Sequence, residues 1–204
     1  MLFRSREFVY FMLNKPPGVV SATEDARERT VLDLPRPEDR VREPFPVGRL
    51  DKDTEGLLLL TNDGKLAHEL LAPRKHVDKT YEANVRGAVG DDDVRAFDDG
   101  VTLDDGYVTM PAGLKVAAVD GTHPEGPLSS VVVTIKEGKF HQIKRMFEAV
   151  GKKVVYLRRV AMGPLKLDPQ LPLGSYRELT EAEIDALRTV HHGSGSPETK
   201  EERP

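Results

Sequence analysis

The chain predicts an α+β fold, and three stretches carry that prediction. Leu57-Leu58-Leu59-Leu60, stopped by Asn62-Asp63-Gly64, is an apolar run too short for a buried helix and reads as a buried strand. Ser129-Ser130-Val131-Val132-Val133-Thr134-Ile135 is a β-branched run closed by Lys136-Glu137-Gly138, the clearest strand in the sequence. Phe140 to Val150, ended by Gly151, has helical periodicity. At 204 residues and 38% apolar content there is enough chain for a sizeable core in one domain or two small lobes.

The remaining elements follow in order. Phe8-Val9-Tyr10-Phe11-Met12-Leu13 is a strand, Asn14-Lys15-Pro16-Pro17-Gly18 a turn, and Val19-Val20 a second short strand. Thr30 caps a short helix through Val31-Leu32-Asp33-Leu34, stopped by Pro35-Arg36-Pro37. Apolar residues at 66, 67, 70 and 71 form one helical face that Pro73 ends, and Lys79 to Val85 alternates as a strand does. Asp91 to Phe97 reads as an amphipathic helix with acidic residues at its dipole-favoured start and Gly100 as its cap. Strands are expected around 107 to 110 and 113 to 119, and one or two more between Val154 and Leu167. Thr180 with Glu183 makes a capping box for a last helix through Leu187, and the polar Gly/Ser/Glu-rich segment 191 to 204 is expected to be a disordered tail.

Composition narrows the function classes. Without cysteine there is no disulfide framework and no thiol catalysis. The run from Phe8 to Leu13 is shorter than a secretory signal and nothing approaches a membrane span, so a soluble cytoplasmic protein with no membrane partner is expected. The formal charge of -4 taken alone argues against a nucleic-acid binder. Its distribution argues otherwise: Lys136 to Arg159 holds eight Lys or Arg against two Glu, while Asp91 to Asp105 holds seven Asp and only Arg95. Such blocks suggest a basic working face and an acidic back, or else two solvated faces.

The stretch Gly48-Arg49-Leu50-Asp51-Lys52-Asp53-Thr54-Glu55-Gly56 before the leucine run places a charged loop on a rigid strand, where reactive groups are well held and still exposed. Taken by itself, Asp51 reads as a turn carboxylate with a local ion pair to Arg49 or Lys52. Asp51-x-Asp53-x-Glu55-Gly56 also imitates the first half of a calcium loop, but position twelve is Asn62 and leucines occupy the ligand positions between.

Gly48-Arg49-Leu50-Asp51 with Asp53-x-Glu55-Gly56-Leu57-Leu58 resembles the signature of the RsuA/RluA superfamily of pseudouridine synthases. Leu13-Asn14-Lys15-Pro16-x-Gly18 resembles the opening of the same catalytic domain, Lys79-Thr80-Tyr81 its second motif, and Glu137-Gly138-Lys139-Phe140-His141-Gln142-Ile143-Lys144-Arg145-Met146 its third. Val154 to Leu167 also matches, so the likeness spans roughly residues 8 to 185. It implies a mixed, mainly antiparallel sheet with flanking helices and a central cleft, filling residues 1–190. The implied reaction breaks the uridine N1–C1′ bond, turns the uracil and joins C5 to C1′, with no metal and no cofactor.

On that resemblance Asp51 is the catalytic aspartate, as nucleophile or as a base assisting uracil departure; the sequence leaves both routes open. Tyr81 packs on the uracil and its hydroxyl serves in proton transfer. Lys144 pairs with Asp51 and keeps it ionised against desolvation. Ile143 lines the uracil pocket, with Leu50, Lys79, His141, Gln142 and Arg145 as further substrate contacts, and Arg49 holds the backbone or fills the vacated stack. Lys144, where several relatives carry Arg, points to the RsuA/RluB/RluE/RluF type. Many members of that type carry an S4 RNA-binding domain ahead of the catalytic one. Here the catalytic pattern starts within about ten residues of Met1, so no S4 domain is expected, whether by nature or by truncation. The expected partner is ribosomal RNA in a pre-ribosomal particle, met by a monomer. Ala72-Pro73-Arg74-Lys75-His76 together with the third motif looks most like the small-subunit (16S) branch, whereas absence of S4 occurs in a large-subunit (23S) modifier. The rival readings are a non-catalytic RNA-binding or assembly factor on the same fold, and a metal-dependent hydrolase using Asp51 and Asp53.

Overall fold

The computed structural model describes residues 7–190; the tail expected from 191 lies outside the described residues. Nine strands among them form one sheet: β1 (Tyr10–Lys15), β2 (Phe45–Pro46), β3 (Glu55–Thr61), β4 (Lys79–Arg86), β5 (Gly113–Asp120), β6 (Leu128–Ile135), β7 (Lys153–Met162), β8 (Leu165–Lys166) and β9 (Tyr176–Glu178). Five helices flank it, α1 (Pro37–Arg40), α2 (Gly64–Leu71), α3 (Asp91–Asp99), α4 (Gln142–Ala149) and α5 (Glu181–Thr189), together with 3-10 turns at Val31–Asp33 and Pro73–Lys75.

The strand order is β5-β6-β4-β7-β3-β1-β9, with β2 beside β3 and β8 beside β7. Every pairing is antiparallel except β3 with β7, so the sheet is mixed and mainly antiparallel. That parallel seam is only two pairs long, Glu55 with Arg158 and Gly56 with Arg159. Gly56 is obligatory there: its φ is +108°, and a Cβ would stand 2.2 Å from the Arg159 carbonyl oxygen. Beyond the seam β3 is committed to β1 and β2, and β7 to β4 and β8.

The leucine run is apolar throughout because both of its faces are covered. Leu58 and Leu60 join the larger core cluster with Phe11, Leu13, Val133, Met146 and Phe147, while Leu57 and Leu59 join a second cluster with Met12, Leu66, Leu70 and Leu187. The two clusters lie on opposite faces by the strand period of two. Helix α4 therefore packs on one side, and α2 and α5 on the other.

Local chemistry explains the element ends. Asp63 caps α2 by accepting from Leu66 N, and Thr30 and Thr180 make capping boxes with Asp33 and Glu183. Some expected elements differ. Val19-Val20 supplies a single bridge to Thr30 rather than a strand, and the expected strand at 107 to 110 is likewise one bridge, Thr102 with Val108. The helix expected from Phe140 starts at Gln142, because His141 takes a left-handed φ of 48°. The short pieces α1, β2 and β9 carry too little pattern to be read from sequence; β9 is fixed by its pairing to β1 across the fold.

Candidate active site

Asp51 sits in the turn that precedes β3, where Thr54 N donates to Asp51 O at 3.0 Å. The segment 47–51 faces the β4 and β7 strands and the loop after β6 across a cleft of about 500 Å³. Its walls include Arg49, Leu50, Lys79, Tyr81, His141, Gln142, Ile143 and Lys144, so the structure brings together Asp51 and every residue named from sequence except Arg145. Arg145 is bound to Asp104 and Asp105 and donates from Nη1 to Phe140 O at 2.9 Å; it supports the loop from behind.

Helix α4 delivers Lys144 to the Asp51 turn over a sequence distance that only the tertiary fold closes. Its Nζ donates to Asp51 Oδ2 at 3.1 Å and to Asp53 Oδ1 at 2.8 Å, and His141 Nε2 stands 3.4 Å from Asp51 Oδ1. Burial alone would lower the Lys144 amine, but the hydrogen bonds and charges of Asp53 and Asp51 outweigh it and hold it above its ordinary value. The Lys144 bond holds the Asp53 carboxyl below the usual range. An ammonium thus stands where the calcium-loop reading would need a metal. Lys52, one of the two neighbours that the local reading pairs with Asp51, reaches Glu28 at 2.7 Å instead.

The opposite wall is apolar. Ile143 and Tyr81 are buried at 3% and 8% exposure, with Leu50 and Leu157 beside them. Strand β4 presents Tyr81 between Val133 of β6 and Arg159 of β7, a central position that leaves the ring little freedom. Gln142 is buried, donating to Glu137 Oε2 and accepting from Lys139 N, which fixes the loop leading into α4.

Two supporting residues escaped the sequence reading. Lys15, placed there in a turn, is the last residue of β1 and fully buried, and its Nζ donates to the carbonyls of Pro16, Lys52 and Thr54 at 3.0, 3.1 and 2.8 Å. Burial pushes its amine down to about 8, with Asp53, Asp51 and Glu55 opposing. It therefore ties the Asp51 turn, through Lys52 and Thr54, to the end of β1. Arg159, buried at 2%, donates from Nε to Leu57 O at 2.9 Å across the parallel seam and also lines the cleft. Only the position of Lys15 beside Pro16 in a matching motif hinted at the first; nothing local distinguishes the second.

The expected separation of charge is not what the fold builds. Asp93 pairs with Lys152, and Asp104 and Asp105 with Arg145, so the acidic and basic blocks touch. Glu82 takes Arg158 at 2.6 Å and Asp78 takes Lys136 at 3.5 Å. Much of the basic run is thereby neutralised within the domain.

A mixed sheet with one short parallel seam, presenting an aspartate against a lysine, a tyrosine and an isoleucine, is the arrangement that the resemblance to pseudouridine synthases implies. Comparison with known proteins agrees. The chain belongs to the RNA pseudouridylate synthase family, whose model matches residues 9–149. It is 53% identical over 89% of its length and 74% of the relative's to an uncharacterized RNA pseudouridine synthase of Bacillus subtilis. A ribosomal small subunit pseudouridine synthase A of Yersinia pestis is 42% identical over the same shares, and a ribosomal large subunit pseudouridine synthase B of Bacillus subtilis 40% over 93% and 76%. The crystal structure of a pseudouridylate synthase superposes with a TM-score of 0.78 at 37% identity, covering 88% of this chain and 74% of the other.

Proposed function

We propose that this enzyme converts one uridine of ribosomal RNA to pseudouridine in the cytoplasm, acting as a monomer on a pre-ribosomal particle through a single catalytic domain over residues 1–190. The observation that carries the reading is the Lys144–Asp51 pair, 3.1 Å long, at the edge of a cleft walled by Tyr81 and Ile143. The small subunit is the preferred target, supported by the relative of that name and by the likeness of 72–76 and 141–146 to that branch. The similar identity to a large-subunit synthase supports the second reading, a 23S target.

In this mechanism the target nucleotide leaves the stack, at about a few kcal/mol, and its uracil enters between Tyr81 and Ile143. Lys144 Nζ lies 3.1 Å from Asp51 Oδ2 and His141 Nε2 3.4 Å from Oδ1, so the two side chains hold the carboxylate in place from both sides. Asp51 then attacks carbon or removes a ribose proton as N1–C1′ breaks. The freed uracil turns, C5 bonds to C1′, the Asp51–carbon bond breaks or the ribose proton is returned, the C5 proton departs with Tyr81 as relay, and N1 ends protonated. Arg49, exposed on the rim, takes the RNA backbone or the vacated place in the stack. Leu50, Lys79 and Gln142 shape the pocket floor.

The test is release of tritium from [5-3H]uridine in rRNA incubated with purified protein. Asp51→Asn, which keeps the shape and removes the charge, is expected to abolish release without changing the melting temperature. Equal release by that variant would remove Asp51 from the chemistry.

A further inference from the structure

We propose that Phe140, backed by His141, is a stacking platform for the RNA base next to the target uridine. The inference rests on the synthase reading of the cleft, and it concerns a residue that reading leaves unused.

Phe140 is 75% exposed and stands between Lys139 and His141, both of which line the cleft. A single exposed phenylalanine is ordinary, but this one is fixed in place. Its ring stacks on His141 with centroids 3.8 Å apart and planes at 18°, and the far edge of His141 lies 3.4 Å from Asp51. Covered on one face by the imidazole, the ring keeps its other face open to solvent.

The backbone is held to match. His141 takes a left-handed φ of 48°, a conformation a non-glycine residue keeps only where the surroundings impose it. Gln142 N donates to Lys139 O at 3.1 Å, Lys139 N donates to Gln142 Oε1 at 3.0 Å, and Arg145 N donates to His141 O at 3.0 Å. Arg145 also grips Phe140 O, and it is itself anchored by Asp104 and Asp105. A solvent-facing aromatic so restrained is pre-organised for contact, since little motion is left to lose on binding.

Its partner follows from the chemistry next door. Lifting a uridine out of its stack uncovers a π-face on the adjoining base, and an exposed aromatic ring is the group that replaces such a stack regardless of base identity. Lys139, exposed beside Phe140 with its ammonium 4.7 Å from the Tyr107 ring centroid, adds a cation and a second aromatic to the same rim. An edge alternating aromatic and ammonium groups suits single-stranded RNA.

The test uses short single-stranded RNAs with 2-aminopurine on one or the other side of a single uridine. Wild type is expected to quench the probe on at least one side. Phe140→Leu, which keeps an apolar side chain but has no π-face, is expected to lose the quench and weaken binding about tenfold, while Phe140→Tyr keeps both. Equal melting temperatures of the three proteins show that the exposed site was changed without harm to the fold. Wild-type quench and affinity in Phe140→Leu would overturn the platform. Tritium release from rRNA by wild type separates the two readings: turnover with no dependence of binding on Phe140 sinks the platform alone, and Phe140-dependent quench with no turnover sinks the synthase reading alone.

Discussion

Lys15→Met gives the sharpest check on how the Asp51 turn is held. The lysine is fully buried and its amine is pushed down to about 8 from 10.5, so between those pH values the folded protein carries a neutral amine while the unfolded chain still carries the charge. The unfolded state then binds more protons, and stability must rise with pH across the window. The slope is about 1.4 kcal/mol per pH unit, and over the whole window it reaches about 3 kcal/mol. Methionine has nothing to titrate, so other ionisable groups cancel when the two proteins are compared. The difference in unfolding free energy, wild type minus variant, is expected to be flat below pH 8 and to grow in favour of wild type above it. Urea denaturation from pH 7 to pH 10 measures it. The same variant leaves the Pro16, Lys52 and Thr54 carbonyls without their shared donor, so the Asp51 turn loosens. A displacement on the order of 1 Å at a catalytic group lowers turnover on the order of a hundredfold. A pH-independent difference would show that burial does not govern the amine, and a wild-type kcat in Lys15→Met would show that the turn stands without it.

Three further outcomes are expected. Lys144→Met should lower kcat far more than it raises KM, because it removes support for the Asp51 charge rather than uniform RNA contacts; an unchanged kcat would take Lys144 out of the mechanism. Gly56→Ala should destabilise by at least about 3 kcal/mol or prevent folding, since both the positive φ and the 2.2 Å approach to Arg159 O oppose a Cβ; a melting point near wild type would contradict the seam geometry. RNA affinity should fall steeply as salt rises, in proportion to the phosphates neutralised, and a flat salt profile would exclude a phosphate-bound complex.

What the sequence made legible was what local periodicity encodes. The leucine run, Lys79 to Val85 and Ser129 to Ile135 emerged as strands because their side chains report burial directly. Tyr107 to Met110 has similar composition yet makes only one bridge, since a strand also needs a neighbour whose register no local signal supplies. Lys15 was hidden for a different reason. Lysine beside Pro-Pro-Gly reads as a solvated turn, and only the fold shows three carbonyls converging on its amine. Asp51, Tyr81 and Lys144 were found by motif, but their meeting in one cleft depends on β3, β4 and α4 being assembled by long-range pairing. The charge blocks misled in the opposite direction, because counting along the chain cannot show that Arg145 and Lys152 fold back onto Asp104, Asp105 and Asp93.

That pairing bears on how a chain of net charge -4 can work on a polyanion. At the edge of the cleft two carboxylates, Asp51 and Asp53, share the Lys144 ammonium, while Lys15 beneath the turn and Lys79 and Arg159 in the cleft wall add further positive groups. The phosphates of an approaching RNA are expected to meet first the rim, where Arg49 and Lys139 are exposed, with Phe140 between the solvent and His141.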